Sequence, residues 1–323
     1  MGLAGCGGIA RQYHLRELSA DPRVELVAVA DPSTASRAAL PTLPGVEVSK
    51  DVEDMIGSPG IDAVVVCAST PAHAEIAAGV AEGHQHLYLE KPIALDLDEA
   101  RRIEALLDAR DALTAVGFQY RFSPAFRDLK QQIGEGRIGA IRHVRAWHCE
   151  VADPGAMSGW KLARSSGGGV LIDIGSHEVD FASWLLGTEV DGVEDATLTS
   201  SRIEHDDARF VLRMSDGVRV EVVVSYVQGR KHRWEVEGSD GVLRAERWPP
   251  RVSRPRRPAP SGPTKLATRL RALPVPRREP SFGLALRQFA RASQGEPHSL
   301  PTIADGRRSL EIVLEAERDA LAR

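Results

Sequence analysis

The chain has 323 residues, more than one hydrophobic core usually organises, so we expect two domains. Hydrophobic residues make up 42% and charged residues 27%, which excludes a disordered protein and a mini-protein stapled by disulfides. The formal net charge of -4 is too close to zero for the whole surface to attract nucleic acid or a membrane. We therefore expect neither as a partner.

The cysteines and histidines predict no metal and no disulfide framework. Cys6, Cys67 and Cys149 are odd in number and far apart. His143 and His148 would lie on opposite faces of one strand, and no cysteine or acid completes a tetrahedral set. The N-terminus has no basic segment ahead of an apolar one, and no stretch reaches the roughly 20 apolar residues that span a bilayer. These features predict a cytoplasmic protein.

The first third of the chain alternates short apolar runs with longer amphipathic runs, the order typical of βαβ units in a parallel sheet. The predicted strands are Gly2–Ala4, Val24–Ala30, Ile61–Cys67, His86–Leu89 and Leu113–Phe118. The predicted helices are Ile9–Ser19, Thr34–Leu40, Val52–Ile56, Pro71–Glu82 and Leu97–Ala109. The first strand is shorter than a typical strand, which suggests a trimmed or misassigned start.

From about Ile138 onward, the hydrophobic pattern changes to alternation with a period of two. Runs such as IRHVRAWHCEV and VRVEVVVSYV, separated by turn residues, predict an antiparallel sheet after the α/β domain. Helical patterns cover Val170–Leu186, Phe282–Gln294 and Asp305–Leu321. The sequence therefore predicts an α/β protein with two different sheets.

One segment, Arg244–Pro280, is strongly basic. It holds eleven of the 41 basic residues, two acids and nine of the 20 prolines, giving a local charge of +9 while the rest of the chain sums to -13. A basic arm for a phosphate-bearing substrate, a nucleic acid or an acidic protein is one interpretation. We favour a solvated, extended or disordered loop, because proline-rich segments usually lack a fixed geometry.

A glycine-rich turn follows the first strand. Gly5-Cys6-Gly7-Gly8-Ile9-Ala10 fits the GxGxxG/A fingerprint of dinucleotide binding, in which free amides at a helix N-terminus hold the diphosphate. Asp31 ends the next strand, where a carboxylate binds the adenosine ribose and repels a 2′-phosphate. The sequence thus favours NAD over NADP, although Arg37 could partly reverse this preference. The alternative is that Asp31 is a turn residue before Pro32.

Three further motifs identify a family. They are CASTPAH at Cys67–His73, EKP at Glu90–Pro92 and GGGVLIDIGSH at Gly167–His177. In this order and spacing they resemble the Gfo/Idh/MocA oxidoreductases, and the C-terminal PTIADGRRSLEIVLEA looks like the last helix of that family. The resemblance runs over nearly the whole chain. It is specific for the family and poorly specific for the substrate.

The resemblance implies an N-terminal Rossmann domain with a doubly wound parallel sheet in residues 1–118. It implies a C-terminal α/β domain in 119–323 with an open, mostly antiparallel sheet that makes a homodimer or homotetramer. The nicotinamide would lie in the cleft between the domains. The implied cofactor-binding residues are Gly5, Gly7, Gly8, Ile9, Ala10, Asp31, Arg37, Ser69, Thr70, Pro71, His73, Glu90, Lys91, Gln119, Trp160 and Arg164.

The resemblance implies three catalytic residues, Lys91, Asp173 and His177. The Lys91 ammonium would stabilise charge on the substrate oxygen, and Pro92, often cis in this family, would fix its turn. Glu90 would hold Lys91 or contact the nicotinamide ribose. His177 would exchange the proton while Asp173, four residues earlier, binds a neighbouring hydroxyl or orients the imidazole. The plain alternatives are a surface lysine, a helix-capping aspartate and a half-buried polar histidine.

Four other residues match segments that reach the nicotinamide or the substrate in relatives, and we weigh them evenly against structural roles. Arg121 would bind substrate or form an ion pair, and Trp160 would meet the cofactor or fill the interdomain core. Gln119 and Arg164 are further candidates. Asp180 would support the Asp173–His177 pair.

The resulting hypothesis is an NAD(P)-dependent dehydrogenase or reductase that acts on a secondary alcohol or ketone of a cyclic polyol, a sugar, or an amino or nucleotide sugar. The excess of arginine over lysine, 35 to 6, suggests a high-GC genome and a role in secondary metabolism. One alternative is an NAD-dependent glycosidase of the same family. Another is a non-catalytic NAD-sensing regulator, which the presence of all three catalytic residues disfavours.

Overall fold

The computed structural model describes residues 1–155, 157, 159–247, 250–253, 270–272 and 280–323. The chain divides into two compact units: Met1–Gln119 with Phe282–Glu311, and Tyr120–Ser281 with Ile312–Arg323. The assignment of all of 119–323 to the second domain was wrong for Phe282–Glu311. This stretch belongs to the first unit, since Phe282 stacks on Tyr13 with ring centroids 4.1 Å apart and Phe289 packs against Tyr88 at 5.5 Å.

The first unit contains a parallel sheet of six strands in the order β3-β2-β1-β4-β5-β6. The chain order reverses between β1 and β4, which makes the carboxyl ends of these strands the place where a doubly wound sheet binds its ligand. The predicted Rossmann architecture is confirmed. The strands are β1 Gly2–Ala4, β2 Ala28–Ala30, β3 Glu47–Ser49, β4 Ala63–Val66, β5 His86–Leu89 and β6 Thr114–Val116.

The helices of the first unit follow its strands. A wide helical turn, Ala10–His14, continues into α1, and a short 3-10 turn, Thr70–Ala72, leads into α3. The predicted helix at Val52–Ile56 is replaced by turns, because Glu53 and Asp54 face solvent and only Met55 is buried. The bounds are α1 Leu15–Ala20, α2 Thr34–Ala38, α3 His73–Glu82, α4 Leu97–Asp108 and α7 Ser281–Ala292, with the start of α8 Ile303–Leu321.

The second unit contains an eight-stranded sheet in the order β14-β13-β12-β11-β7-β10-β9-β8. Only β7 and β10 pair in parallel, so the mostly antiparallel sheet predicted from the sequence is confirmed. Its strands are β7 Ile141–Cys149, β8 Val190–Thr199, β9 Asp207–Met214, β10 Arg219–Ser225, β11 Lys231–Gly238, β12 Val242–Arg247, β13 Pro250–Ser253 and β14 Leu270–Ala272.

Two helices pack on this sheet, α5 Pro124–Gly134 on β12 and β13, and α6 Ser176–Leu186 on β8. A wide helical turn, Leu171–Gly175, leads into α6. Shorter 3-10 turns occur at Gln119–Phe122, Gly159–Leu162 and Arg164–Ser166. Among the described helices, none is both long enough and apolar enough to cross a membrane.

The basic segment Arg244–Pro280 was predicted to be a loop throughout, which is wrong at its start. Arg244–Arg247 complete β12, and Pro250–Ser253 form β13, because Ala245 and Val252 are buried and pair across the ladder. Apart from β14 and Pro280, the remainder of the segment lies outside the described residues. The expectation of a disordered loop there stays a prediction.

Candidate active site

The glycine turn at the end of β1 has the shape that a diphosphate needs. Gly5 has a φ of +87°, and a Cβ built on it would lie 2.5 Å from the main-chain nitrogen of Ala68, so only glycine fits. A Cβ on Gly7 or Gly8 would meet nothing within 4 Å. The turn therefore leaves open space beside the residues that precede the first helix, and it fits the diphosphate of a dinucleotide.

Asp31 lies directly after β2 and is only 8% exposed. Its Oδ2 accepts a hydrogen bond from the main-chain nitrogen of Cys6 at 2.8 Å, and its Oδ1 accepts one from that of Ser33 at 2.8 Å. Arg37 donates to the carbonyl oxygen of Asp31 at 2.5 Å and to Thr34. Asp31 is thus a turn residue, which was the alternative interpretation, and it also contacts the glycine turn.

The segment after β4 forms a compact corner against the same edge of the sheet. Ser69 precedes the short turn that contains Thr70 and Pro71, and Thr70 is buried. His73 is 1% exposed, with Nε2 3.2 Å from the carbonyl oxygen of Ala68. Burial lowers the pKa of His73, so the imidazole is neutral at physiological pH.

Glu90 and Lys91 follow β5, and the Lys91–Pro92 peptide is cis. One Glu90 oxygen, Oε1, lies 2.6 Å from Nε2 of His14 in a buried pair, while Oε2 accepts a hydrogen bond from the Lys91 main-chain nitrogen at 3.3 Å. Gly117 packs on this carboxyl group, since a Cβ there would lie 2.7 Å from Cδ of Glu90. Glu90 therefore supports the Lys91 turn rather than projecting away from it.

Gln119 ends the first unit and is 5% exposed. Its Oε1 atom has no hydrogen-bond partner among the described residues. A buried carbonyl oxygen without a partner is costly, so this side chain is a reasonable acceptor for a bound amide.

Asp173 and His177 lie on one helical stretch of the second unit, in the turn before α6 and in its first turn. Both are buried, at 5% and 4% exposure. Oδ2 of Asp173 accepts hydrogen bonds from the Lys161 ammonium and the Tyr226 hydroxyl. The His177 ring stacks on Tyr120, with centroids 4.3 Å apart. Lys161, Tyr226 and Tyr120 were missed as candidates from the sequence.

Both candidate arginines form ion pairs, while their predicted binding roles stay predictions. Arg121 forms a two-pronged pair with Asp180, whose side chain is 1% exposed. Arg164 pairs with both oxygens of Glu317, at 2.6 and 3.0 Å. Asp180, predicted to support the Asp173–His177 pair, holds Arg121.

Trp160 contacts its neighbour Lys161, whose ammonium lies 5.2 Å from the indole centroid. The side chain is partly exposed within a 3-10 turn. Because Lys161 in turn contacts Asp173, Trp160 belongs to the surroundings of that carboxylate.

A second cluster was not expected from the sequence, which placed the histidines in no common site. His148 on β7, His232 on β11 and Glu178 on α6 meet in the interior, with their ligand atoms within 4.8 Å of one another. The register of β7 and β11 pairs His148 with His232 directly. Strand pairing could not be read from the sequence, although both histidines occupy inward positions of alternating strands.

Comparisons with known proteins agree over both units. Residues 1–118 match the model of the oxidoreductase family with an NAD-binding Rossmann fold, and residues 126–244 match the GFO/IDH/MocA C-terminal domain. The chain is 32% identical to inositol 2-dehydrogenase of Rhizobium meliloti (strain 1021), over 76% of this chain and 74% of that protein. It is 30% identical to scyllo-inositol 2-dehydrogenase (NAD(+)) of Bacillus subtilis (strain 168), over 72% and 69%.

Among solved structures, the crystal structure of a probable dehydrogenase from Thermotoga maritima superposes with a TM-score of 0.82. It is 26% identical, and the match covers 99% of this chain and 96% of that one. The chain belongs to the Gfo/Idh/MocA family and is an NAD(P)-dependent oxidoreductase that acts on CH–OH groups.

Proposed function

We propose that the chain is an NAD-dependent dehydrogenase of a cyclic polyol or sugar. The observation that carries this proposal is the set around Asp173: a buried carboxylate held by an ammonium and a phenol, with an imidazole four residues further along the helix. Such a set can bind one hydroxyl and exchange the proton of its neighbour, which is what a substrate with adjacent hydroxyls requires.

Each residue has a distinct part in this proposal. The nicotinamide, when bound, supplies the hydride chemistry. His177 takes the proton from the reacting hydroxyl during oxidation and returns it during reduction. Asp173 accepts a hydrogen bond from a neighbouring hydroxyl. Lys91 stabilises the charge that develops on the reacting oxygen, and Glu90 holds the turn that carries Lys91.

The first unit supports NAD as the cofactor. Gly7 and Gly8 leave room for a diphosphate. The Asp31 carboxylate would accept hydrogen bonds from the ribose hydroxyls and repel a 2′-phosphate. The cofactor would be lined by Ser69, Thr70, Pro71 and His73. Gln119 would accept a hydrogen bond from the amide of the cofactor. The inositol dehydrogenases among the relatives favour a cyclic polyol over an open-chain alcohol.

The test is a screen of NAD and NADP reduction at 340 nm against inositols, sugars and nucleotide sugars. With the best substrate, we expect Lys91→Ala and His177→Ala each to lower kcat by about 100-fold or more, with melting temperatures near that of the unaltered protein. The exposed residues Lys50 and His298 provide matched controls, because Lys50→Ala and His298→Ala remove the same groups elsewhere. A near-normal rate in either site variant would contradict the proposal.

The glycosidase alternative is separated by the cofactor balance. A dehydrogenase releases one reduced cofactor for each product formed, whereas a glycosidase that oxidises its substrate only transiently accumulates none. A regulator would bind NAD and turn over no member of the panel.

A further inference from the structure

Tyr120 joins His177 to the buried cluster described above. Its ring stacks on the His177 ring at 4.3 Å with an interplanar angle of 26°, and its hydroxyl lies 3.3 Å from Nδ1 of His148. The guanidinium of Arg247 lies 4.5 Å from the centroid of the same ring. Tyr120 is 3% exposed, so protein groups fix both its ring and its hydroxyl.

The side chains of His148, Glu178 and His232 contact one another in the interior. Oε1 of Glu178 lies 3.0 Å from Nδ1 of His148 and 3.3 Å from Nε2 of His232. Oε2 of Glu178 accepts a hydrogen bond from the indole of Trp234 at 2.8 Å. All four side chains are at most 3% exposed. Oε1 of Glu178 is therefore held by two histidines, and Oε2 is held by the indole of Trp234.

The pKa values of the three groups in the cluster shift in different directions. Burial opposes ionisation of Glu178, but the two imidazoles outweigh it and hold the pKa of the carboxyl well below its usual range. Burial also opposes the charged form of His148, but Glu150 and Glu178 outweigh it and raise its pKa. Burial and the neighbouring His148 lower the pKa of His232 to about 3. The directions of these shifts favour an ionised Glu178, a charged His148 and a neutral His232.

The same three side chains would suit a metal by type, but their geometry opposes one. The rings of His148 and His232 are stacked 4.0 Å apart and only 5° from parallel. A ligating nitrogen directs its lone pair within the ring plane at a metal about 2.0–2.1 Å away. No point lies in both of two separated parallel planes, so one ion cannot satisfy both rings as they stand. Both rings instead direct a nitrogen atom toward Oε1 of Glu178, at 3.0 Å from His148 and 3.3 Å from His232.

We propose that Tyr120 is the positioning residue of His177: its ring sets the plane of the imidazole, and the 3.3 Å contact of its hydroxyl with His148 in the His148–Glu178–His232 cluster has only a secondary part. This inference rests on the proposed function, in which His177 moves the substrate proton. A stacked aromatic pair favours one relative orientation of its two rings, and a displacement of about 1 Å at a reacting group can cost roughly 100-fold in rate. A ring that is fixed in place and stacks on the imidazole can keep the base aligned with the reacting hydroxyl.

The experiment compares Tyr120→Phe with Tyr120→Leu. Because Phe keeps the stacking ring, we expect its kcat to stay within about fivefold of the unaltered protein, while Leu lowers kcat by about 10- to 100-fold. The KM for NAD should not change in either variant. Phe210→Leu is the matched control, since Phe210 is a buried aromatic on β9 of the same unit. If Tyr120→Leu does not fold, Tyr120→Met replaces the ring with a flexible chain.

A second readout does not depend on activity. In NMR spectra of protein with isotope-labelled histidine, the signal of the His177 ring is identified by its loss in His177→Ala. The ring current of Tyr120 should shift this signal. We expect Tyr120→Leu to move that signal and Tyr120→Phe to keep it.

Three results would overturn the inference. The first is a kcat for Tyr120→Leu that is no lower than the kcat of Phe210→Leu, and the second is a Tyr120→Phe variant whose kcat is as low as that of His177→Ala. The third is an equimolar metal in the purified protein whose removal by a chelator also removes the activity. If instead His177→Ala is fully active, the proposed function fails, while the signal shift still tests the stacking.

Discussion

Oδ2 of Asp31 accepts a hydrogen bond from the main-chain nitrogen of Cys6 at 2.8 Å, which anchors the acid at the end of β2 to the glycine turn at the end of β1. Oδ1 is held in the same way by Ser33. An ionised carboxylate has about four acceptor positions, so two main-chain amides leave capacity for ribose hydroxyls. The charge is also fixed in place, and it would lie close to any 2′-phosphate.

The first prediction concerns cofactor preference. Asp31→Asn removes the charge and keeps the size of the side chain, although its amide nitrogen can no longer accept one of the two main-chain hydrogen bonds. The ratio of kcat/KM with NADP to kcat/KM with NAD should rise about 10-fold or more, since repulsion between close charges is lost. The measurement is initial-rate kinetics with both cofactors. Asp98→Asn makes the same charge change on the exposed start of α4 and should leave the ratio unaltered. An unchanged ratio in Asp31→Asn would show that the carboxylate does not select the cofactor.

The second prediction concerns the space beside the glycine turn. In Gly7→Ala the new methyl group meets no protein atom within 4 Å, so the melting temperature should change little, whereas the Kd for NAD should rise about 10-fold or more as the methyl group enters the diphosphate space. Calorimetric titration with NAD measures the Kd.

Substitutions at two other glycines serve as comparisons for Gly7→Ala. Gly134→Ala, at the end of α5, is equally unobstructed and should leave the Kd unchanged. Gly5→Ala should instead destabilise the first unit, because its φ of +87° and the Ala68 main chain exclude a Cβ. Tight NAD binding by Gly7→Ala would contradict this placement of the diphosphate.

Local signals predicted the first unit well. The glycine fingerprint, the acid after the second strand and the EKP motif all lie next to strand ends in the chain, and parallel strands gather their carboxyl ends at one edge. Strand β3 was missed because Glu47 and Val48 are exposed and Ser49 is only half-buried, so no buried run marks it. Helix α5 was missed although Pro124 at its start and Phe126 on its buried face are ordinary helix signals.

The surroundings of Asp173 and His177 depend on contacts distant in sequence, which periodicity cannot reveal. Tyr226 lies 53 residues from Asp173, and Tyr120 lies 57 residues before His177. The direct pairing of His148 with His232 depends on the register of β7 and β11. For the same reason the ion pair of Arg121 with Asp180 could be stated only as an alternative.

The third prediction concerns the alkaline limit of stability. Burial raises the pKa of the Tyr88, Tyr120 and Tyr226 hydroxyls well above 10, and for Tyr226 the charge of Asp173 adds to the effect. These tyrosines stay protonated in the folded chain, while in the unfolded chain they ionise near pH 10. The folded state then binds more protons, so the free energy of unfolding should fall as the pH rises above about 10.

The absorbance of ionised tyrosine near 295 nm provides the measurement. At pH 11 the folded protein should show at most one of its four tyrosines ionised, and the rest should ionise together with unfolding. Because burial and Asp173 keep Tyr226 protonated, it also stays a hydrogen-bond donor to Asp173 over the working pH range. Ionisation of two or more tyrosines in the folded protein would contradict this.

The last prediction concerns the counterion in the cluster. Glu178→Gln removes the nearer of the two carboxylates beside the buried His148 and leaves only Glu150, which lies 3.6 Å away with a side chain that is 43% exposed. Breaking a buried pair costs about 3–5 kcal/mol, so the variant should melt below the unaltered protein at pH 7. The sign of the pH dependence follows from Glu178: a carboxyl whose folded pKa is held low stabilises above its ordinary value of 4.5 and loses that contribution as the pH falls below it.

The difference in stability between the unaltered protein and Glu178→Gln should therefore shrink between pH 5 and pH 3 rather than grow. His148 and His232 shift in opposite directions and partly cancel in the same comparison. Calorimetric melting at pH 7, 5 and 3 measures the difference. Glu237→Gln, an exposed change on β11, controls for the loss of a surface carboxylate. Equal melting temperatures at pH 7 would mean that Glu178 carries no counterion role, because a buried imidazolium that loses its nearer carboxylate must lose stability.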